Sequence, residues 1–339
     1  MSSPDANRSG PSDQPLVLGI PSKGRLQEAT MAYFKRAGLS ISKKGGDRDY
    51  RGLIKGLDGV EVAFLSASEI AGELAAGTVH LGVTGMDLVH EKIHDPEEAT
   101  VAVKPLGFGN ADVVVAVPDS WIDVQTMDDL EDVAAGFRAR HGRRMRLATK
   151  YVRLTRKHFR ANGVADYRIV ESLGATEGAP ASGAADLIVD ITTTGATLTA
   201  NHLRILSDGV ILRSEANLVA SKNADWSEVA EEGLKAILSR IAARDRAATV
   251  YEVRTAIGEQ TRVFRDVSQE FGCTAPFGAV AGQGSLVLHV DKARIWDLVA
   301  YLKARGASSV TVGELAYVVD GSADAYTPVF EALGLSEEV

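Results

Sequence analysis

A single cysteine, Cys273, excludes an intrachain disulfide and any zinc site built from several cysteines. Its neighbours Phe271, Gly272 and Thr274 offer no basic group to activate a thiol, so it reads as buried and inert. No apolar run approaches the ~18 residues of a membrane span, and no charged-then-apolar leader opens the chain, so no membrane partner is expected and the cytoplasm is the default location. Positive charge is in deficit: 37 Lys and Arg against 45 Asp and Glu leave a net charge of −8, which argues against a general nucleic-acid or anionic-membrane binder. Any anionic substrate must therefore meet cations gathered locally. There is no Walker-type lysine loop and no three-glycine dinucleotide fingerprint. Histidines 80, 141, 158, 202 and 289 are isolated; His90 and His94 stand four apart, but Pro96 cuts their helix short. No metal cage is assigned.

What the chain does have is a strand that opens onto a hydroxylated loop. Residues 185–198 read Ala-Asp-Leu-Ile-Val-Asp-Ile-Thr-Thr-Thr-Gly-Ala-Thr-Leu. Leu187, Ile188, Val189 and Ile191 have the length and branching of a buried parallel strand. Asp190 marks its carboxyl end, where an open α/β sheet places its ligands. The small loop and the helix start that follow present hydroxyls, backbone N–H groups and a helix dipole to an anion. The same residues could merely cap a helix. Asp190 favours a ligand: a carboxylate beside a phosphate loop suits a ribose diol or a ligand-borne Mg²⁺, both carried by 5-phosphoribosyl diphosphate.

The rest of the chain alternates strands with helices. Residues 1–14, rich in Ser, Pro, Asp, Asn and Gly, read as a disordered tail. A strand at 16–20 runs through a turn holding Lys23 and Arg25 into a helix ending at Gly38. The polar segment 45–59 reads as a loop. A strand at 60–65, a helix from Ser68 as cap, and a strand at 79–83 follow, with Asp87 just past the last strand and opening a helix. Residues 105–115 read as a crossover into a second domain, with strands at 112–117, 145–149 and 167–170 before the organising stretch. A turn at 173–177 leads into a helix ending at Gly183. Segments 209–212 and 216–220 return the chain to the first domain. Beyond about residue 228 a long helix leads to strand-helix-strand-helix-strand, a small ferredoxin-like module.

These residues resemble one family, the ATP phosphoribosyltransferases of histidine biosynthesis in their long form. The resemblance is carried over 16–318 by Pro21-Ser22-Lys23-Gly24-Arg25-Leu26, Gly82-Val83-Thr84-Gly85-Met86-Asp87-Leu88 and Leu106-Gly107-Phe108-Gly109. Further carriers are Arg146-Leu147-Ala148-Thr149-Lys150-Tyr151, Gly174-Ala175-Thr176-Glu177, Thr194-Gly195-Ala196-Thr197-Leu198, Trp296 and Leu302-Lys303-Ala304-Arg305-Gly306-Ala307-Ser308-Ser309. It implies an α/β fold: a two-lobed catalytic body like the type II periplasmic binding proteins, plus a C-terminal ferredoxin-like regulatory domain. Placed on this chain, the tail is 1–14, catalytic domain I is 15–106 with 212–226, domain II is 107–211, the regulatory domain is 227–320 and a C-terminal tail is 321–339.

The resemblance also implies Mg²⁺-dependent transfer of the 5-phosphoribosyl group from phosphoribosyl diphosphate to N1 of ATP, with pyrophosphate leaving, feedback inhibition by histidine, and dimers or hexamers. By position, Thr193, Thr194, Gly195, Ala196 and Thr197 would cradle the 5-phosphate. Glu177 and Asp190 would address the ribose hydroxyls or the metal-bound ligand, Mg²⁺ being held mainly by ligand phosphates. Lys23 and Arg25 would face pyrophosphate or ATP phosphates, and Gly85 and Asp87 would border the ATP site. A two-lobed binding protein without catalysis is the competing reading.

Overall fold

Apolar runs buried on both faces build the parallel strands of this protein, and their carboxyl ends carry its polar loops. The computed structural model describes residues 13–43, 45, 50–172, 174–279, 284–319 and 326–335. Lys44, Arg48, Leu173, most of the expected N-terminal tail (1–12) and residues 320–325 and 336–339 of the expected C-terminal one lie outside the described residues. The chain divides into two compact units, one of 1–33, 40–233 and 328–339, the other of 34–39 and 234–327.

The first unit begins with β1 (Leu16–Pro21), α1 (Gly24–Arg36), the short strands β2 (Ile41–Lys43) and β3 (Arg51–Ile54), and β4 (Val60–Leu65). Then come α2 (Ala67–Ala76), β5 (Leu81–Gly85), α3 (Met86–Lys92), α4 (Pro96–Ala99) and β6 (Thr100–Pro105). Next are β7 (Asp112–Pro118), α5 (Met127–His141), β8 (Met145–Thr149), α6 (Val152–Ala161), β9 (Tyr167–Glu171), β10 (Leu187–Thr192), α7 (Ala196–Ala200), β11 (Leu203–Leu212) and β12 (Ala216–Ser221). One sheet runs β2-β3-β4-β1-β5-β12-β6 and the other β11-β7-β10-β8-β9. In each, three parallel strands (β4, β1, β5; β9, β8, β10) meet a strand antiparallel to them, β12 or β7. The core of β4-β1-β5-β12-β6 thus repeats the order of β9-β8-β10-β7-β11, which is the two-lobed α/β body expected from the sequence. Each antiparallel strand is reached through a crossing segment, 106–111 on the way out and 213–215 on the way back.

The 22-residue helix α8 (Glu228–Thr249) carries the unit boundary, since residues up to 233 belong to the first unit and those from 234 to the second. In the second unit β13 (Val250–Ala256), α9 (Gln260–Phe271), β14 (Leu286–Asp291), α10 (Ile295–Ala304) and β15 (Ser309–Glu314) form a sheet ordered β14-β13-β15, antiparallel throughout. Val253, Leu286, Leu288 and Val290 meet Val263, Val267, Leu298 and Leu302 in one core. Among the described residues this sheet has three strands and is flanked by two α-helices, fewer strands than a complete ferredoxin-like fold. Cys273 is buried in that core, and burial pushes its thiol up to about 11.

Several local expectations change. The polar segment 45–59 contains β3, whose residues 51–53 pair antiparallel with β4, with Gly52 and Ile54 buried while Arg51 is exposed. Strand β6 was not anticipated from its mixed composition, Thr-Val-Ala-Val-Lys-Pro. Ser66, not Ser68, caps α2: its hydroxyl accepts the Glu69 N–H while Glu69 reaches back to the Ser66 N–H. The helix expected before Gly183 shrinks to one 3-10 turn at Thr176–Gly178. Segment 209–212 stays with the second sheet as part of β11, so only β12 returns to the first. The C-terminal stretch holds a helix, α11 (Thr327–Leu333), with Val329 and Phe330 buried.

An ion-pair cluster closes the amino-terminal edge of the second sheet. Asp186 accepts two bonds from Arg143 at 2.6 and 2.8 Å and one from the Arg146 backbone at 2.7 Å. Although burial works against the charge, these partners hold its carboxyl down at about 2. Because the folded value lies below the ordinary ~3.9, this stabilisation is full above that pH and fades as pH falls toward the folded value. Asp186→Asn should therefore lower unfolding free energy by about 1–2 kcal/mol at pH 7, after allowance for solvent screening, with the difference from the parent shrinking as pH falls below ~4 and vanishing only below about pH 2 in denaturant titrations.

Candidate functional site

The carboxyl ends of the parallel strands carry nearly all the residues expected at a site. At the second sheet, β10 ends at Thr192 and α7 starts at Ala196. The turn between closes because Gly195 takes φ +76°, a left-handed conformation that side chains resist, and its N–H donates to Thr192 Oγ1 at 2.8 Å. Thr194, Ala196 and Thr197 are exposed. The Thr193 hydroxyl donates to the Asn110 carbonyl at 2.8 Å, which ties the loop to the outgoing crossing segment. The backbone N–H groups of Thr197 and Leu198 have no acceptor among the described residues and belong to the first turn of α7. The Thr197 and Leu198 N–H groups can receive an anion as they stand, whereas the Gly195 and Ala196 N–H groups and the Thr193 hydroxyl already donate within the protein.

Asp190 and Glu177 lie beside that loop. Asp190 is half-buried and accepts the Ile191 N–H at 2.8 Å. Burial lifts its carboxyl above the usual range; the Ile191 bond and the Lys150 charge pull it back, and Glu177 adds to the rise. Glu177 sits on the 3-10 turn, entered through Ala175 at φ 49°. Lys150, which the sequence reading did not single out, follows the end of β8 and stands 5.1 Å from the Tyr151 ring centre. The strand-end argument that found Asp190 applies equally to Lys150.

At the first sheet, Lys23 lies in the turn after β1 and Arg25 in the first turn of α1, with Gly24 at φ +72°, and both side chains are exposed. Neither forms an ion pair among the described residues. Lys23 is close enough to Glu69 to help the Ser66 backbone and side-chain bonds hold that carboxyl down. Gly85 ends β5 and caps α3. Asp87, expected beside it, is buried and bonded within the protein. It is 5% exposed, its Oδ1 accepts from Ser214 and its Oδ2 from Tyr151, both at 2.8 Å. Tyr151 follows the end of β8, so the carboxyl edges of the two sheets meet at this bond. Burial, then the Asp87 charge, drives the Tyr151 hydroxyl far above its ordinary range, so it stays a donor. Tyr151, Ser214 and Glu91 escaped the sequence reading because nothing local signals partners more than 60 residues away.

Residues 90–94 read His-Glu-Lys-Ile-His, the spacing of a zinc-protease helix. Helix α3 ends at Lys92, Ile93 is extended, and His94 bonds to Asp95 instead. Glu91 accepts the Arg153 and Leu154 N–H groups at 3.0 Å and so caps α6. Among the described residues no group of three or more His, Cys, Asp or Glu could hold a metal. His80 is a satisfied histidine: Nδ1 accepts from Val17, Nε2 meets the Asp225 carbonyl at 3.0 Å, and burial lowers its basicity. A cavity of about 490 Å³ lined by Trp121, Phe137, Arg140 and Arg143 lies by Asp186, at the opposite edge of the second sheet, and is not part of this site. No described helix is long and apolar enough to cross a membrane.

A family profile described as ATP phosphoribosyltransferase matches residues 66–243. An ATP phosphoribosyltransferase of Bradyrhizobium sp. (strain ORS 278) is 59% identical over 307 residues, 90% of this chain and 94% of that protein. One of Nitrobacter winogradskyi is 58% identical over 319 residues, 94% and 97% of the two chains. Among solved structures, the ATP phosphoribosyl transferase (HisG:HisZ) complex from Thermotoga maritima aligns with a TM-score of 0.51 and 26% identity, covering 67% of this chain and 95% of that one.

Alanine at Gly195 would impose strain of roughly 1 kcal/mol at its left-handed φ, equivalent to about fivefold in affinity. Gly195→Ala should weaken binding of a sugar phosphate by about that factor in calorimetric titration, with little change in melting temperature because the loop is exposed.

Proposed function

The chain belongs to the ATP phosphoribosyltransferase family, a pentosyltransferase that begins histidine biosynthesis, and from that premise we propose how its two sheet edges divide the work. The enzyme transfers the 5-phosphoribosyl group of phosphoribosyl diphosphate to N1 of ATP and releases pyrophosphate. In our reading the loop of Thr193, Thr194, Gly195, Ala196 and Thr197 holds the 5-phosphate through backbone N–H groups and hydroxyls. Asp190 and Glu177 orient the ribose hydroxyls. Lys23 and Arg25, exposed on the other edge, receive phosphate charge from the leaving diphosphate or from ATP, and Gly85 borders the ATP subsite. The observation that carries this reading is the Tyr151–Asp87 bond, which brings the two ligand-bearing edges together.

Displacement at an anomeric carbon develops oxocarbenium character, so no enzyme nucleophile is required. Adenine N1 is an unprotonated lone pair at neutral pH, so no strong base is required either. What remains is to position two substrates and stabilise a departing anion, work suited to oriented N–H groups and cations. The Asp190 carboxylate also faces the charge that grows on the ribose ring. The donor set fits Mg²⁺, which prefers substrate phosphates plus one or two carboxylates over a protein cage. Glu177 and Asp190 would be those carboxylates, and the ion would supply neutralisation of the diphosphate.

The second unit is read as the regulatory domain, answering to histidine, and the assembly as a dimer or hexamer in the cytoplasm. Against a two-lobed binding protein without catalysis stand the uncommitted cations Lys23 and Arg25, which a neutral solute would not need.

Arg25→Ala should cut kcat at least ~100-fold, the scale of losing one preorganised charge donor, as followed by phosphoribosyl-ATP absorbance. Near-parental turnover would remove Arg25 from the proposed machinery. In the same assay added histidine should slow the parent, and an undiminished rate at saturating histidine would mean that the second unit does not regulate through that ligand.

A further inference from the structure

Asp87 opens α3, directly after β5, and both oxygens of its carboxylate accept from protein hydroxyls. Ser214 donates to Oδ1 and Tyr151 to Oδ2, while the Asp87 N–H donates to Ser214 Oγ at 3.0 Å. These three residues come from three different parts of the first unit. Asp87 stands on the first sheet's side, Tyr151 follows the second sheet's β8, and Ser214 lies on the returning crossing segment. The local sequence is shaped for this: a Cβ at Gly85 would collide with Asp87 Oδ1, so only glycine lets the carboxylate fold back over the cap of α3.

Neighbouring contacts point the same way. Glu91, one turn along α3, caps α6 through the Arg153 and Leu154 N–H groups, and Arg153 Nη1 donates to the Ile93 carbonyl at 3.1 Å. Leu88 packs against the core of the second sheet although it belongs to α3. The crossing segments are bonded to each other beside Asp87: the Ala111 N–H donates to Ser214 O at 2.9 Å and the Met86 N–H to Glu215 O at 3.3 Å. Helix α3 is thus held by both lobes at once.

We infer that Asp87, Tyr151 and Ser214 form a positioning junction that sets the separation of the two ligand-bearing edges. It acts on the transfer step and not on the capture of either substrate. This rests on the division of work proposed above, because the junction lies between the 5-phosphate loop on one edge and the cationic turn on the other. In that division of work each substrate is held on its own edge, and the reacting atoms must then be brought within a few tenths of an ångström. A misplacement of about 1 Å far from the chemistry can cost roughly 100-fold in rate. A charged carboxylate suits such a fixture, since removing one donor leaves buried charge unbalanced and shifts the junction as a whole.

Tyr151→Phe tests this with the ring packing kept. Expected are a fall in kcat of about tenfold, dissociation constants for phosphoribosyl diphosphate and for ATP, each titrated alone by calorimetry, within threefold of the parent, and a folded protein held by the Glu91 cap and Leu88. Ser214→Ala, which removes one hydroxyl from the other carboxylate oxygen, should do the same, and the double variant should lose less than the product of the two single losses. Should Tyr151→Phe fail to fold, Ser214→Ala carries the test unaided. A kcat within twofold of the parent, or affinities for the single ligands that fall in step with kcat, would overturn the junction. Parent protein runs alongside: an inactive parent strikes at the catalytic reading, whereas an active parent with unaffected variants strikes at the junction alone.

Discussion

A buried carboxylate between two sheet edges is the constraint on which the rest of the first unit depends. Burying an unpaired charge costs several kcal/mol, so Asp87 is tolerable only while Tyr151 and Ser214 donate to it. That condition works in both directions. The hydroxyls need the carboxylate to be satisfied in an apolar surround, and the carboxylate needs both lobes in register to meet them. Mutual dependence of this kind makes an interface two-state rather than freely deformable, because partial separation strands every partner together. The paired crossing segments alone would leave such edges able to splay; hydrogen bonds through α3 and α6 remove that freedom near the candidate site.

Phosphoribosyl transfer itself needs neither an enzyme nucleophile nor a metal cage. Phosphoribosyl transfer asks for two anionic substrates to be aligned and for diphosphate to leave into positive surroundings. The histidine-glutamate spacing at residues 90–94 shows how little a motif means without its helix. There the α3 axis ends one residue before Ile93 turns extended, His94 leaves the face, and Glu91 spends its carboxylate on the α6 N-terminus. What could have been two ligands and a base is a capping contact and a surface pair.

Much of this was legible in the chain because it depends on local pattern. The runs Leu-Val-Leu-Gly-Ile-Pro and Leu-Ile-Val-Asp-Ile-Thr became parallel strands, and the rule that ligands sit at strand ends located Asp190 and the threonine loop. The two sheets and the separate second unit also followed from the alternation of elements. What could not be read was pairing at long range. β3 and β6 lack a strong apolar run and exist because a neighbour accepts their hydrogen bonds, β4 for the first and β12 for the second. The strand-end rule singled out Asp87 as it did Asp190. The rule gives the location of a carboxylate but not the direction it faces, and only the distant Tyr151 and Ser214 decide that direction.

A net charge of −8 in an enzyme for two polyanions poses a problem only if charge acts over the whole molecule. At physiological ionic strength exposed charges are screened beyond about 8 Å, so an anion in the cleft responds to its nearest neighbours. Arg143 and Arg146 are bonded to Asp186 at the far edge of their sheet and contribute little to that neighbourhood. Lys23 and Arg25 are in no ion pair among the described residues, and Lys150 lies near the Asp190 carboxylate. A surplus of surface acid then does useful work. It repels polyanions from the outer surface and leaves the cleft as the place where phosphate charge is welcome, so selectivity comes from where the few uncommitted cations sit and not from how many the chain contains.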